Sequence, residues 1–549
     1  MNRLLFGLLI ALGLGAQDYD LVIRGGRILD GTGNPYFAGD VGVKAGRITA
    51  VGDLSSARAA RVVDAEGKYV TPGFIDLHSH SDEDLETSER RYNLGMVAQG
   101  ITTSVVNQDG RSPKPIREQR LRYDSLGMGN NVILLVGHGT VRSKAMGARD
   151  REPATEADLA AMRGLVEEGL RGGAWGLSAG LEYNPGRFSN TRELIELVRV
   201  LKPYGGVYIS HVRSEGRDPM WKNASEERPA PTLLDAVAET IQIGRRTGVT
   251  VVCSHIKAKG ADYWGSSHAA TRMIAEAREE GVPVYADQYP YETSGSDGNT
   301  VLMPLWAIAA PGASVAGQLD RRSPHFRNAK ENLQARLDYE QTAARIRTDI
   351  QHEINRRGGA ARIMIREFAD PRYVGKTLEY VAREQRLNPV ETVIWLQRTG
   401  LDGVPGGARM RGFSLSEIDL DHFMRQDFVA TSTDGAMEMG HPRSYGSYPR
   451  KIRRFVMERA VITLPFAIRS STSLPAQILG VRDRGIIREG SWADLVVFDP
   501  ETIRDKANFE QPSLYPEGVL YVFVNGVAVI DGGKPTRALP GRVLTPAKR

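Results

Sequence analysis

The stretch Gly73-Phe74-Ile75-Asp76-Leu77-His78-Ser79-His80 sets two of the chain's 10 histidines two positions apart. Along an extended strand, residues i and i+2 point the same way, so His78 and His80 share a face with Phe74 and Asp76. Two neutral imidazoles held at one strand end can ligate a single metal ion. A bare His-x-His also fits two polar histidines on a sheet edge, so the rest of the chain has to decide.

Polar residues follow other apolar, β-rich runs in the same way. TTSVVN leads to Gln108-Asp109-Gly110, VILLV to Gly137-His138-Gly139-Thr140, GVYIS to His211, VTVVCS to His255-Ile256-Lys257, and FVATST to Asp434-Gly435. Imidazoles or carboxylates thus close one strand candidate after another in register, which points to a metal site. The set His78, His80, Asp109, His211, His255 and Asp434 is rich in nitrogen and oxygen donors, as zinc, manganese or iron prefer. Catalytic zinc needs about three protein ligands and an open position for water. Six candidates therefore imply either two ions or one residue that works on the water. An aspartate beside activated water can take its proton and later deliver it to a leaving amine. Asp434, late in the chain and followed by glycine, suits that role.

The strand candidates alternate with segments of helical spacing, such as EADLAAMRGLVEEGLRGGA, TRELIELVRVLKPYG and LLDAVAETIQIGRRTG. Repeated alternation of this kind predicts an α/β fold of parallel strands with crossover helices, with the (β/α)₈ barrel the leading candidate. Chemistry in such barrels sits at the C-terminal ends of the strands, where the six candidates fall. Short β runs at both termini predict one small β domain assembled from the two ends. YDLVIRGGRILDGTG reads as a hairpin around Gly25-Gly26, and VLYVFVNGVAVIDGG as one turning at Asn525-Gly526. A charged, helix-prone stretch at roughly 320–360 interrupts the alternation as an insertion. It reads equally as a lid or as solvated surface helices.

A chain of 549 residues is too long for one ordinary core, so two or more domains are expected. The net charge of +5, from 71 basic against 66 acidic residues without a Lys/Arg block, argues against a nucleic-acid partner. The opening MNRLLFGLLIALGLGAQ has the basic start, apolar run and small-residue end of a secretory signal cleaved after Ala16. That run is too short to span a bilayer. The expected product is exported, periplasmic or secreted, with no membrane attachment after cleavage. The single cysteine, Cys253, allows no internal disulfide. Two residues before His255, it reads as a small core residue one layer deeper on the same face, or as a nucleophile paired with that histidine.

Taken together, GFIDLHSHSD, QGITTSVV, VGHGTVR, GLSAGLEYNPG, YISHVRSEG, SHIKAKG, ADQYPYETSG, TSTDG, HPRSYG and TSLPAQILGVRDRGIIREGSWADLVVFDP resemble the N-acyl-D-amino-acid deacylases (D-aminoacylases) of the amidohydrolase superfamily. The resemblance covers nearly the whole mature chain. It implies a (β/α)₈ barrel with a small β-sandwich. With the signal peptide at 1–16, the sandwich is expected at 17–72 and 466–549, and the barrel at 73–465 with an insertion or lid at about 292–360. It also implies zinc-dependent hydrolysis of an amide next to a carboxylate, with an N-acyl-D-amino acid as substrate. By the same resemblance His211 and His255 hold the tightly bound zinc, and His78 and His80 form a second, weaker position. Asp434 is then the general acid/base, and Lys257, Arg443 and Tyr183 grip the substrate carboxylate, as cationic donors near a metal would. One position departs: the family's cysteine in a GNCG turn is here Asp109 in NQDG, a harder ligand than thiolate. The number of ions, one or two, and their identity as zinc or another divalent metal stay open. Alternative activities are a dipeptidase for peptides with a C-terminal D-residue and a cyclic amidohydrolase. The latter commonly bridges two ions with a lysine at a strand end, and NVILLVGHG, AWGLSAGLEY and GVYISHV offer none. A non-catalytic binding protein is disfavoured by the presence of Asp434.

Overall fold

The computed structural model describes residues 17–294, 300–311 and 326–546. The proposed signal peptide, residues 1–16, lies outside the described residues, as do parts of the 292–360 insertion.

Eight parallel strands form the barrel in chain order: β1 Phe74–Asp76, β2 Ile101–Val106, β3 Asn131–Gly137, β4 Gly176–Gly180, β5 Val207–His211, β6 Thr250–Cys253, β7 Val284–Gln288 and β8 Val429–Thr431. β2, β3, β4, β5 and β7 are buried at every residue, which is why they read as near-continuous apolar runs. The ring closes where β1 and β8 run out. The Asp434 backbone N–H donates to His78 O at 2.8 Å, and that of His80 to Gly435 O at 2.8 Å. Asp76 adds a side-chain clasp, accepting from the Thr433 backbone N–H at 2.8 Å and from Thr433 Oγ1 at 2.6 Å.

The crossover helices begin and end where their sequences say. Thr155 and Thr232 open Glu156–Arg171 and Leu233–Thr247 with reciprocal capping boxes to Asp158 and Asp235. Asn190 caps Thr191–Arg199, and Gly248, at φ +65°, closes the helix before β6. Their apolar faces join the strands in one core that includes Leu159, Val166, Leu194, Val198, Val237 and Ile241.

Both chain ends contribute to the second sheet, in which Tyr69–Pro72 pairs with Leu495–Phe498 and Tyr19–Ile28 lies beside Phe37–Lys44. Residues from both ends, among them Ile23, Val41, Val70, Leu495 and Phe523, share one core. Asn525 and Gly526, both at positive φ, make the expected hairpin turn. The hairpin expected at Gly25-Gly26 is absent. Tyr19–Ile28 runs through as one strand, in which a bulge between Ile23 and Gly26 takes up Arg24 and Gly25 and leaves Gly26 paired with Gly39.

Between β7 and β8 the chain leaves the barrel. The charged helices Ala329–Leu337 and Glu340–Arg356 belong to a larger body that continues through the antiparallel pair Ile363–Glu367 and Arg409–Gly412. This body has its own core, with Leu333, Ile346, Ile350, Ile363, Val393 and Met410. No helix among the described residues is long and apolar enough to cross a membrane.

Gly176 opens β4 between β3 and β5, and a β-carbon there would meet the Val207 carbonyl oxygen at 1.9 Å. Gly176→Ala is expected to force the strands apart at a cost of about 1–3 kcal/mol. The readout is a lower urea midpoint at unchanged slope; an unchanged midpoint contradicts this packing account.

Candidate metal centre and active site

Five strand ends at the C-terminal barrel mouth deliver the six candidates, and three of those residues sit in left-handed backbone: Asp109 at φ +56°, His255 at φ +36° and Asp434 at φ +49°. Such conformations cost a non-glycine residue on the order of 1–3 kcal/mol and persist where the surroundings over-determine them. Behind Asp109, Gly110 makes the turn possible. It has φ +74°, and a β-carbon on it would lie 3.0 Å from the Gly180 N and 3.1 Å from the Gly139 N.

The result is convergence. His78 Nε2 faces His80 Nε2 at 3.2 Å, and His211 Nδ1 faces His255 Nε2 at 3.1 Å. The Asp109 carboxylate stands between the two pairs. Its Oδ1 lies 3.6 Å from His78 Nε2, 3.7 Å from His211 Nδ1 and 3.6 Å from His255 Nε2, and its Oδ2 lies 3.6 Å from His80 Nε2. Asp434 Oδ1 reaches His80 Nε2 at 3.1 Å and His78 Nε2 at 3.6 Å. A tetrahedral ion with bonds of about 2.0–2.1 Å separates its ligand atoms by roughly 3.3 Å, and these spacings bracket that value. Asp109 Oδ1 is also buried without a hydrogen-bond partner, a costly state that a cation would relieve. The residues present therefore fit a divalent ion of the kind that takes imidazole and carboxylate ligands.

Electrostatics distinguish the members of the cluster. Burial, followed by the neighbouring His255 charge, holds His78 well below the usual imidazole range and so keeps it a neutral ligand. Burial also works against charge on His80, but its bond to Asp434 and the nearby Asp109 lift it to about 9. Against the penalty of burial, the imidazoles hold Asp109 ionised, and Arg443 and His255 hold Asp434 well below the carboxylate range.

The ligand candidates rest on partners of their own. His211 Nε2 meets Glu182 Oε2 at 3.2 Å, while Glu182 Oε1 accepts from the Met220 backbone N–H at 3.1 Å. His255 Nδ1 lies 2.8 Å from Lys257 Nζ and 3.4 Å from Glu215 Oε1. Glu215 also pairs with Lys257 and, at 3.1 Å, with Lys259. Of the three residues expected to grip a carboxylate, Lys257 and Arg443 both approach the Tyr289 ring, at 5.5 and 4.8 Å from its centroid. Arg443 Nη1 is ion-paired to Asp434 Oδ2 at 2.7 Å, while its buried Nε has no hydrogen-bond partner. Tyr183 packs its ring 4.5 Å from that of His211.

Two residues near strand ends stay outside the cluster. His138 turns to Glu193 at 2.8 Å. Cys253 does not share a face with His255, because β6 stops at Cys253 and the left-handed turn at His255 breaks the alternation. Its thiol, pushed up to about 12 by burial, meets Thr240 on the helix outside the barrel, so it is a core residue. Glu182 and Glu215 are site residues that sequence reasoning passed over. Their only signal was position shortly after a strand end.

The amidohydrolase family model matches residues 61–287 and 336–530. The chain belongs to the amidohydrolase family. It is 32% identical to an N-acyl-D-glutamate deacylase of Alcaligenes xylosoxydans xylosoxydans, over 96% of this chain and 97% of that protein. Among solved structures, N-acyl-D-glutamate deacylase from Bordetella bronchiseptica, complexed with zinc and a phosphonate inhibitor, superposes with a TM-score of 0.73 at 31% identity. That match covers 96% of this chain and 99% of the other. A D-aminoacylase with a binuclear metal centre gives 0.72 at 29% identity, over 96% and 100%. Within the amidohydrolases, the chain groups with these deacylases of N-acyl-D-amino acids.

Because Asp109 lies 3.6–3.7 Å from nitrogens of both imidazole pairs, Asp109→Ala is expected to cut the divalent metal retained after dialysis by about tenfold or more. Elemental analysis of the dialysed variant checks this, and metal content equal to wild type contradicts the assignment.

Proposed function

We propose that the protein is a metal-dependent hydrolase that cleaves the amide of N-acyl-D-amino acids or closely similar small carboxylated amides. The observation that carries the reading is that one carboxylate, Asp434, contacts an imidazole pair through Oδ1 and a buried guanidinium through Oδ2. His211, His255 and Asp109 would hold one ion, with His78, His80 and Asp434 as a second position. When bound, a zinc-like ion there supplies a Lewis acid that polarises a carbonyl and acidifies water.

The protein's own groups do the rest. Lys257 and Arg443, converging over Tyr289, form a cationic seat for the substrate carboxylate, with the free Nε of Arg443 as a donor. Tyr183 flanks the same mouth beside His211. Asp434 takes a proton from the attacking water and returns one to the departing amine nitrogen. As the free carboxylate it is a weak base, because Arg443 stabilises its charge. A substrate carboxylate that engages Arg443 offsets that neighbouring positive charge and raises the proton affinity of Asp434. Base strength then rises when a carboxylated substrate is seated. The N-acyl-D-glutamate deacylase, D-aminoacylase and N-acyl-D-aspartate deacylase to which this chain is similar support the D-configured substrate class.

Asp434→Asn is expected to keep the ion held by His211, His255 and Asp109 and to lose about 10²–10⁴-fold in kcat. Hydrolysis is measured on paired D and L N-acyl amino acids and on a dipeptide ending in a D-residue, with metal content from the same sample. Unchanged turnover in the variant defeats the role of Asp434, and release from L-compounds alone defeats the D-specific reading.

A further inference from the structure

His78 faces the centre with Nε2, and the bond made by its other ring nitrogen decides whether Nε2 offers a lone pair or a proton. His78 Nδ1 lies 2.7 Å from Ser254 Oγ, and Ser254 Oγ lies 2.7 Å from Asp287 Oδ2. All three side chains are fully buried, so no solvent molecule can reassign these bonds. A hydroxyl has one proton to donate, and Asp287, although burial pushes its carboxyl upward, is held as an accepting carboxylate by the donors around it, the His255 N–H among them. Ser254 therefore donates to Asp287, and its oxygen accepts from His78 Nδ1–H. That leaves the Nε2 lone pair aimed at His80, Asp109 and Asp434. The other oxygen, Asp287 Oδ1, accepts from the His255 backbone N–H at 2.9 Å, at the residue held in a left-handed conformation.

We propose that Asp287 is the positioning residue of the centre. Through Ser254 it selects the ligating tautomer of His78, and through the main chain it seats His255. One carboxylate on β7 thus controls a ligand in each of the two imidazole pairs without touching substrate or any reacting atom. The proposal rests on the metal-dependent reading above and extends it to the groups that make the site competent.

This hydrogen-bond logic gives an order of effects that residue size and polarity do not. Asp287→Asn preserves shape. Its amide oxygen must stay on the His255 N–H, since the flipped amide would set two donors face to face. The amide nitrogen then donates to Ser254 Oγ, the Ser254 proton turns to His78 Nδ1, and the ring proton of His78 moves to Nε2, into the cation position. Ser254→Ala merely removes the constraint and leaves both tautomers accessible. The isosteric Asp287→Asn should therefore do more harm than Ser254→Ala. A role in packing alone gives the reverse order.

The test uses the full chain with ¹⁵N-labelled histidine, stripped by a chelator and then titrated with zinc against a competing chelator. In the stripped protein, long-range proton–nitrogen spectra should show His78 as Nδ1–H in wild type, as Nε2–H in Asp287→Asn and as a mixture in Ser254→Ala. Zinc affinity at the His78, His80 and Asp434 position should fall about 10- to 100-fold in Asp287→Asn, and less in Ser254→Ala. The proposal is overturned if His78 keeps the wild-type tautomer in Asp287→Asn, if that variant binds zinc like wild type, or if Ser254→Ala loses more. Should Asp287→Asn not fold, Ser254→Ala decides: a pure Nδ1–H tautomer with undiminished zinc affinity overturns the proposal. Wild-type protein that shows the Nδ1–H tautomer but takes up no zinc would instead refute the metal-dependent reading and leave the assignment of Asp287 standing.

Discussion

Four imidazoles and the carboxylates of Asp109 and Asp434 are held within a few ångströms of one another in a largely buried barrel mouth. Nitrogen lone pairs directed at each other repel, and a buried carboxylate oxygen without a donor loses its hydration with nothing in return. A protein fold tolerates such a cluster where a positive charge unites it. The need to bring these donors onto one cation is the constraint from which the rest of the mouth follows.

The barrel meets that constraint by ending its strands rather than by extending them. β1, β2, β6 and β8 stop short of their ligand candidates, and left-handed turns at Asp109, His255 and Asp434 swing the side chains inward. Closure of the ring uses the same residues. The bonds Asp434 N–H to His78 O and His80 N–H to Gly435 O tie the first and last strands together and fix the second imidazole pair against the aspartate. Fold closure and site geometry are thus one set of backbone bonds. The strain at these turns is offset by the deep parallel core beneath them.

Much of this could be read from the sequence because buried parallel strands are long apolar runs, and a polar residue at their end stands out. His78, His80, Asp109, His211, His255 and Asp434 were visible for that reason, and all six converge. The partners were not. Glu182, Glu215 and Asp287 are single acidic residues near strand ends, and nothing in sequence distinguishes a buried acid bonded to an imidazole from a solvated one. Strict alternation misplaced Cys253, since a left-handed residue resets the face count after it. Gly25-Gly26 looked like a turn because local composition does not show that a bulge at Arg24 and Gly25 can keep both glycines inside one strand. The body between β7 and β8 was undersized for a related reason: its later helices are amphipathic against each other, so their period does not mark them as separate from the barrel layer.

The central claim is that donors from separate strand ends meet on a cation. Anomalous diffraction at the zinc absorption edge, from crystals of the full chain equilibrated with zinc, tests it most directly. The account predicts a peak within about 2.0–2.2 Å of His211 Nδ1, His255 Nε2 and an Asp109 oxygen. At higher zinc, a second peak should appear beside His78, His80 and Asp434. An empty barrel mouth, with zinc confined to surface histidines, would contradict it.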